Sequence, residues 1–340
     1  MLVRGTRTLG EGFHRRKGSA HAEVEALHAA ALEHLDVRGA TAYVSLEPCN
    51  HHGATPPCSE ALIAAGVGRV VVGALDPNPR TAGGGVARLR GAGIEVVVAA
   101  DPVALGVVED FSVSVAGVRP YLRLKMAASL DGFVAPQPGR FPLTGEPARA
   151  FVHGLRAAYD AVLVGAGTVR SDDPALTVRP PRSRGLPYRR IVACGLRPPP
   201  AGARVFAALD GYAPALVLAP ASAGARERFA ALEAVAEVVF VAGDAGRLDL
   251  TQAMSELRAR GITSVLCEGG PTLAGSLLAA GLVDRLDWLI APRTLAGPEA
   301  VPALAPASAP RTQIHFERVE LLGDDLLVSG RPSARLAKES

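Results

Sequence analysis

The segment LEPCNHHGATPPC, residues 46–58, is the most distinctive stretch of this sequence. It holds two of the four cysteines of the chain, with eight residues between them, together with two adjacent histidines and three prolines. Prolines restrict the backbone, so the loop presents its cysteines in a narrow set of positions. Such a loop allows three explanations: a disulfide, a metal site, or two cysteines that occur close together by chance. The residues upstream favour one of them.

His21 and Glu23 stand upstream at the start of an apolar helical pattern, HAEVEAL. Residues two apart point to different sides within a helix, so this pair can converge only in the first turn. Cys49 and Cys58 add two thiols to the imidazole, which suits a tetrahedral zinc ion with one position open for water. Zinc lowers the pKa of that water, and Glu23 is then the base that is not a ligand. The order H-x-E, P-C, C is typical of zinc deaminases.

The composition argues against several other classes of protein. The 340 residues suffice for two domains, and 36 Lys and Arg nearly balance 33 Asp and Glu. Single-stranded nucleic acid is bound by basic grooves and by aromatic side chains on which bases stack. With 4% aromatic residues and no basic block, the sequence does not favour such binding. It shows no run of 18 apolar residues, no apolar signal segment in residues 1–10 and too few cysteines for a disulfide framework. We therefore expect a cytoplasmic protein with reduced thiols and no nucleic-acid or membrane partner.

Strand-like and helix-like segments alternate along the chain, which predicts an α/β fold with largely parallel sheets. The alternation starts anew near residue 120, after a stretch around 113–119 that shows no clear pattern. We predict two domains, residues 1–115 and 116–330, followed by a frayed tail at 331–340.

A second motif, VLCEGGPTLAGSLLAAGLVD, covers residues 265–284 and reads as a strand, a glycine turn and a helix. Small residues at such a turn allow the backbone amides at the start of the helix to approach a phosphate. A Gly-Gly pair by itself is usually no more than a turn, so this motif needs support from its surroundings.

The first half of the chain resembles the deaminase half of the RibD family, the bifunctional deaminase–reductases of riboflavin biosynthesis. The resemblance runs through GEGFH, HAEVEAL, AYVSLEPCNHHGATPPC and ALIAAGVGRVVVGALDPNP, and the long insert between the cysteines is specific to this branch of deaminases. It implies a three-layer α/β/α domain of the cytidine-deaminase type. The implied zinc ligands are His21, Cys49 and Cys58, and the implied proton shuttle is Glu23. The implied substrate contacts are His14, His51, Asp76 and Asn78.

The second half resembles the reductase half of the same family, which has a dihydrofolate-reductase-like α/β fold. The segments that carry this resemblance are LKMAASLDG (124–132), LRAAYDAVLVGAGTVRSDDPALTVR (155–179) and LVDRLDWLIAPRTLAG (282–297). The implied NADPH contacts are Ala128, Thr168, Asp172, Gly270, Pro271, Thr272, Leu273, Ala274, Gly275 and Ser276. The implied substrate contacts are Arg156, Leu176, Arg179 and Glu268. The two arginines suit the 5-phosphate of the substrate, and we expect Lys125 and Asp131 to lie next to the site.

Four features depart from the pattern of the family. The chain begins within the segment that matches the first strand of the family, after the position of its PNPxVG motif. Ala54 stands where the family has a Lys or Arg for the substrate phosphate, which predicts weaker binding by the deaminase. Pro142 replaces a tryptophan, and Cys194 replaces an aspartate, in the reductase half.

The resemblance implies one zinc ion per chain, NADPH, small pyrimidine ribosyl phosphates as substrates, and a homo-oligomer, either a dimer or a tetramer. Our first hypothesis is a bifunctional enzyme that deaminates 2,5-diamino-6-(5-phosphoribosylamino)pyrimidin-4-one and then reduces the ribosyl chain of the resulting uracil. The alternative is a reductase whose first half is structural or serves in oligomerisation. A nucleic-acid-editing deaminase is a third class, and the composition argues against it.

Overall fold

The computed structural model of the chain describes residues 1–15, 18–52, 56–78, 81–179, 187–244, 246–304 and 312–333. The chain divides into two units, Met1–Gly117 and Val118–Ser340.

The first unit contains one sheet and five helices within its described residues. Its strands are β1 (Leu2–Arg4), β2 (Arg7–Gly10), β3 (Thr41–Leu46), β4 (Arg69–Ala74) and β5 (Glu95–Val98). Its helices are α1 (Ala22–Leu32), α2 (Cys58–Ala64), α3 (Gly84–Gly91), α4 (Pro102–Val107) and α5 (Glu109–Ala116). The strand order is β2-β1-β3-β4-β5, with β3, β4 and β5 parallel and β1 antiparallel to both of its neighbours.

Helices cover both faces of this sheet. Val70 and Val72 of β4 point to one face and pack in a single core with residues of α1, α2 and α3, because alternate side chains of a strand lie on the same side. Gly73 points to the other face, where an added Cβ would lie 2.4 Å from the Cβ of Ala104 in α4. The first unit is therefore a three-layer α/β/α domain, and the prediction of its fold is confirmed.

The second unit is built on a sheet of nine strands. The strands of the unit are β6 (Tyr121–Ser129), β7 (Phe133–Ala135), β8 (Ala161–Gly165), β9 (Arg189–Ala193), β10 (Ala215–Pro220), β11 (Ala236–Val241), β12 (Gly243–Asp244), β13 (Arg247–Leu248), β14 (Ser264–Cys267), β15 (Arg285–Ala291), β16 (Val301–Pro302), β17 (Ile314–Leu322) and β18 (Asp325–Pro332). Its helices are α6 (Glu146–Ala158), α7 (Ala166–Asp172), α8 (Ala225–Glu233), α9 (Leu250–Ala259) and α10 (Pro271–Ala279), with a 3₁₀ turn at Arg204–Phe206.

The large sheet has the order β11-β10-β9-β8-β14-β6-β15-β18-β17. Strands β11 to β15 in this order are parallel, and β17 and β18 close one edge as an antiparallel hairpin. Residues of α9 and α10 pack on one face, and residues of α7 and α8 on the other. The late strand β14 lies between β6 and β8, two strands that precede it by more than a hundred residues.

The described residues bear on the predicted boundaries at two places. We expected no clear pattern around 113–119, and helix α5 extends through the first of these residues to a cap at Gly117, whose φ of 106° closes the helix. Of the tail predicted at 331–340, Arg331 and Pro332 pair with β17. Residues 334–340 lie outside the described part of the chain.

In the described ranges, every helix is too short or too polar to cross a lipid bilayer.

Candidate active sites

His21, Cys49 and Cys58 meet at one point of the first unit. Their ligand atoms all lie within 4.8 Å of one another. His21 Nδ1 is 3.2 Å from Cys58 Sγ and 3.5 Å from Cys49 Sγ. One imidazole and two thiols at this spacing fit the donor set of a catalytic zinc site, in which water takes the fourth position. The four cysteines of the chain are all free thiols, which rules out a disulfide in the loop.

Each candidate ligand stands at a junction between elements. His21 caps α1 from an extended conformation, and Cys58 is the first residue of α2. Cys49 lies in the loop after β3, where its carbonyl accepts the amide of Ser59 at 3.1 Å. The amide of Cys58 donates to Cys49 Sγ at 3.3 Å. These two bonds return the loop to the start of α2, so the thiols converge although eight residues separate them.

Each of the two thiols shifts the pKa of the other. A hydrogen bond from the Cys58 thiol lowers the pKa of Cys49, and the same pairing raises the pKa of Cys58. One thiol of the pair is thereby favoured as thiolate, the form in which cysteine binds a metal.

Glu23 faces this cluster from the second position of α1. Its carboxylate pairs with the Cys58 thiol and lies within electrostatic reach of Cys49 and His21. Burial raises the pKa of Glu23 above its ordinary value, as is typical of a carboxyl group that passes a proton. The first turn of α1 thus brings His21 and Glu23 to the same point.

The four predicted substrate contacts of this unit differ in how close the structure brings them. The His14 ring packs edge-on against the His21 ring, with 5.1 Å between centroids. Asp76 and Asn78 follow β4, where the amide of Asn78 donates to Asp76 Oδ1 at 2.9 Å. His51 is exposed, and no described contact brings it to the cluster. Ala54 lies outside the described residues.

Glu47 was not anticipated from the sequence. It follows β3 directly and is 5% exposed. Its carboxylate accepts the backbone amides of Asp76, Gly83 and Val86 at 2.9–3.1 Å. The available signal was a lone acidic residue between an apolar strand and Pro48, since a charge there is buried and needs partners.

The second site lies at the carboxyl ends of β6, β8 and β14. After β8 the chain enters α7 on one face of the sheet, and after β14 it enters α10 on the opposite face. Adjacent strands whose following helices diverge in this way leave a crevice between them, which is the usual ligand position of open α/β sheets. A cavity of about 720 Å³ occupies that position.

Most of the predicted cofactor contacts line this cavity. The lining includes Thr168, Asp172, Gly270, Pro271, Thr272 and Leu273, as well as Glu268 and Lys125. It does not include Ala128, Ala274, Gly275 or Ser276. The side chain of Ala274 is instead fully buried in the core beneath α10, and Ala128 is 1% exposed within β6.

Glycines shape the wall of the cavity. Gly270 caps α10, and a Cβ added to it would lie 3.0 Å from Thr168 Oγ1. A Cβ on Gly269 would lie 2.9 Å from a methyl carbon of Leu273. The turn after β14 therefore packs closely against the start of α7, and a phosphate suits the start of α10, where the amides that follow Pro271 have no partner within the helix.

The predicted substrate residues Arg156, Leu176 and Arg179 line a second cavity of about 1060 Å³. Arg140, Phe141, Arg149 and Asp172 line both cavities, so the two adjoin. The second cavity is also lined by Arg204 and His153, and its five arginines outnumber its three carboxylates, Glu146, Asp172 and Asp173. A phosphate suits such a lining.

Arg156 has a different set of partners from the expected one. Its guanidinium forms a two-pronged pair with Glu268, with 2.8 Å between Nη2 and Oε2, and Nη1 donates to the carbonyl of Thr177 at 3.0 Å. Its donors are thus used inside the protein, so that of the two arginines predicted for the phosphate Arg179 is the exposed one. Burial opposes ionisation of Glu268, but Arg156 and Lys125 hold the pKa of Glu268 below its ordinary value.

Lys125 and His153 complete the polar surroundings of Glu268. Lys125 lies on β6 and lines the first cavity, where burial lowers the pKa of its ammonium group. His153 lies on α6 and lines the second, and burial with the nearby Arg156 lowers its pKa. Lys125 was anticipated as a neighbour of the site. His153 was missed, although its position three residues before Arg156 places both on one side of a helix.

Asp131 holds the loop beyond β6. Its carboxylate pairs with the hydroxyl of Ser129 and accepts the amides of Leu295 at 3.0 Å and Ala296 at 2.7 Å. It does not line either cavity, so the structure gives it a structural place beside the site.

Comparison with known proteins agrees with both halves of this description. Residues 120–328 match the family model of the RibD C-terminal domain, and residues 1–74 match the cytidine and deoxycytidylate deaminase zinc-binding region. The riboflavin biosynthesis protein RibD of Escherichia coli (strain K12) is 38% identical, over 96% of this chain and 90% of that protein. The chain belongs to the RibD family. RibD of Aquifex aeolicus (strain VF5) is 37% identical with the same coverage.

Solved structures of RibD proteins share the fold. The deaminase/reductase of Thermotoga maritima superposes with a TM-score of 0.79 at 31% identity, covering 98% of this chain and 90% of that chain. RibD of Acinetobacter baumannii, form 1, gives a TM-score of 0.77 at 32% identity, with 98% and 91% covered. The chain is therefore a RibD-family enzyme with a deaminase domain and a reductase domain, each of the predicted fold.

Proposed function

We propose that the two sites carry out consecutive steps of riboflavin biosynthesis. The first removes the 2-amino group of 2,5-diamino-6-(5-phosphoribosylamino)pyrimidin-4-one by hydrolysis. The second reduces the ribosyl chain of the resulting 5-amino-6-(5-phosphoribosylamino)uracil with NADPH. The observation that carries the proposal is a complete His, Cys, Cys and Glu cluster in a chain that also matches the RibD C-terminal domain.

In the first site, we assign His21, Cys49 and Cys58 as the zinc ligands. When bound, zinc lowers the pKa of a water toward neutrality. Glu23 would accept the proton of the attacking water and donate it to the departing amine, since its carboxyl group faces the cluster without belonging to the ligand set. His14 packs against His21 and bounds the space in which the pyrimidine lies.

In the second site, the turns after β8 and β14 would hold the cofactor. When bound, NADPH supplies the hydride. The amides of Gly270 and of the residues that follow Pro271 in the first turn of α10 would receive its phosphates, and Thr168 would contact it from the start of α7. Glu268, fixed by Arg156, and Lys125 present a carboxylate and an ammonium group to the ribosyl part of the substrate. Arg179 holds the 5-phosphate.

The experiment that tests the proposal supplies each half-reaction with its own substrate. Purified protein with zinc is given the diaminopyrimidine, and release of ammonia is measured. The uracil is given separately with NADPH or NADH, and loss of absorbance at the reduced nicotinamide band is followed. We expect both activities, with NADPH preferred. Reduction without deamination in zinc-loaded protein would support instead a reductase whose first unit is structural.

Glu23→Gln sharpens this test. The variant should retain zinc, because the ligand set is intact, and should lose deamination while reduction of the uracil continues. Glu25→Gln, on the same helix two residues further, is the matched control and should keep both activities. A Glu23→Gln protein that lacks zinc in elemental analysis would show that Glu23 is a ligand, and the assignment of the base would be wrong.

The cytoplasmic location and the dimeric or tetrameric state remain predictions. Four free thiols are compatible with a reducing compartment. Light scattering on the purified chain measures the assembled mass directly.

A further inference from the structure

We propose that Glu47 is a positioning residue of the deaminase site: it fixes the loop between β4 and α3, and with it Asn78, relative to the loop that carries Cys49. The proposal rests on the proposed deaminase function and adds to it a residue that touches neither metal nor pyrimidine.

The carboxylate of Glu47 joins both ends of that loop. Oε2 accepts the amide of Asp76, where the chain leaves β4, at 3.1 Å, and the amide of Gly83, just before α3, at 2.9 Å. Oε1 accepts the amide of Val86 in the first turn of α3 at 2.9 Å. A single side chain thus sets the distance between the end of a strand and the start of the next helix.

The environment of Glu47 makes these bonds strong. The residue is 5% exposed, and none of the ion pairs between described residues involves it. Its charge is therefore stabilised by backbone amides, two of them at the positive end of α3. Bonds from amides to a buried carboxylate are stronger than bonds between neutral groups, because both the charge and the low polarity of the surroundings strengthen them.

A second contact holds α3 to the same segment. A Cβ added to Gly85 would lie 1.9 Å from the carbonyl oxygen of Pro48 and 3.3 Å from Cγ of Glu47. The start of α3 therefore lies directly against the backbone between Glu47 and Cys49. Any shift of this helix moves against the segment that carries a candidate zinc ligand.

The described part of the loop behaves as one piece. Asp76 Oδ1 accepts the amide of Asn78 at 2.9 Å, and Asp76 Oδ2 accepts the hydroxyl of Thr81 at 2.5 Å. The carbonyl of Asn78 accepts the amides of Thr81 and Ala82. Asp76 thus braces the loop from within, and Asn78 is the predicted substrate contact whose placement depends on it. Glu47 then acts on the substrate through the placement of Asn78.

The deciding variant is Glu47→Gln in the zinc-loaded full chain. The amide keeps the shape of the side chain but turns one acceptor into a donor that faces a backbone N–H. We expect KM for the diaminopyrimidine to rise by about tenfold, a factor that corresponds to about 1.4 kcal/mol, with a smaller change in kcat and one zinc per chain retained. Glu95→Gln, an exposed carboxylate of the same unit that pairs with Arg69, is the control and should leave KM unchanged.

A double-mutant cycle separates positioning from a general loss of stability. In an Asn78→Ala background the substrate contact is already gone, so Glu47→Gln should raise KM by less than about twofold. A full tenfold rise in that background overturns the proposal, because Glu47 would then act independently of Asn78. An unchanged KM for Glu47→Gln alone, with only a lower melting temperature, overturns it equally.

A readout without turnover keeps this test distinct from the test of the proposed function. Amide hydrogen exchange of residues 76–78 and 81–86 should accelerate in zinc-loaded Glu47→Gln but not in Glu95→Gln. If the wild type does not deaminate, the proposed function fails while exchange still decides whether Glu47 orders the loop. Should Glu47→Gln not fold, as judged by loss of uracil reduction and of cooperative melting, Glu47→Asp replaces it. Aspartate keeps the charge, but its side chain is one methylene shorter. Glu47→Asp should then raise KM by less than tenfold and accelerate exchange of the same amides, and unchanged KM and exchange would overturn the proposal.

Discussion

In the first unit the candidate chemistry rests on side chains that three separate segments bring to one point, whereas in the second it rests largely on two strand–helix turns. His21, Cys49 and Cys58 each contribute one atom that no other residue type replaces easily. Around Gly270 and Thr168 the decisive property is how closely two backbones approach. Loss of a metal ligand should therefore abolish the activity of the first site, whereas a change in the shape of a turn should lower the activity of the second site only in part. Three predictions follow this contrast from its strongest expected effect to its weakest.

Cys49→Ser should abolish deamination. Serine is a poor zinc ligand, so the variant should lose the metal. Without the metal, the activation free energy of deamination rises by several kcal/mol, which lowers the rate by about a thousandfold or more. Zinc content by elemental analysis should fall with activity, while uracil reduction stays at the wild-type level. Cys194→Ala, which removes a buried thiol from the second unit, is the control and should retain zinc. Deamination by a zinc-free Cys49→Ser protein would contradict the metal assignment.

Arg156→Lys should lower reductase kcat/KM by about ten- to a hundredfold, because lysine cannot form the two-pronged pair that fixes Glu268. Arg123→Lys is the matched control: Arg123 forms an equally buried pair with Asp287 but does not line either cavity. Both variants should melt at a lower temperature, since each weakens a buried ion pair. Only Arg156→Lys should lose activity per folded molecule, and equal losses in both would reduce the Arg156 pair to a structural role.

Gly270→Ala should have the mildest effect. The added Cβ meets Thr168 Oγ1 at 3.0 Å, so the turn must open by a few tenths of an ångström. We expect KM for NADPH to rise by about threefold to tenfold, since a small overpacking costs about 1 kcal/mol, with zinc and deamination unchanged. Gly202→Ala, where a Cβ meets nothing within 4 Å, is the control. If Gly270→Ala abolished reduction as completely as Cys49→Ser abolishes deamination, the contrast between the two sites would be broken.

The same contrast explains what the sequence could predict. The metal cluster was accessible because its residues are chemically distinctive and ordered along the chain, and the first turn of α1 places His21 beside Glu23 as their spacing requires. The alternation of strands and helices was enough to predict both α/β domains. The family resemblance added the residues around each cavity, of which Thr168 and Gly270 line one as expected.

The features that escaped prediction depend on contacts between distant residues. Arg156 was assigned to the substrate on the family resemblance, and its pair with Glu268 was not predicted because the two residues lie 112 positions apart in the chain. Glu47 was passed over because nothing local shows that three amides from another loop surround it. The last residues of helix α5 fell within the stretch 113–119, which was predicted to have no clear pattern because so short a segment shows no clear period.

The position of β14 has a consequence for the order in which the protein can be made. Residues 264–267 fill the gap in the sheet between β6 and β8, which leave the ribosome about a hundred or more residues earlier. Until then, both early strands expose an unpaired edge, and such edges invite association between nascent chains. Within the described residues, the strands of the first unit pair only with one another. A stalled or truncated chain that ends before residue 264 should therefore carry a folded first unit joined to an incomplete sheet with exposed strand edges. During synthesis, the reductase half is thus the part more prone to aggregation.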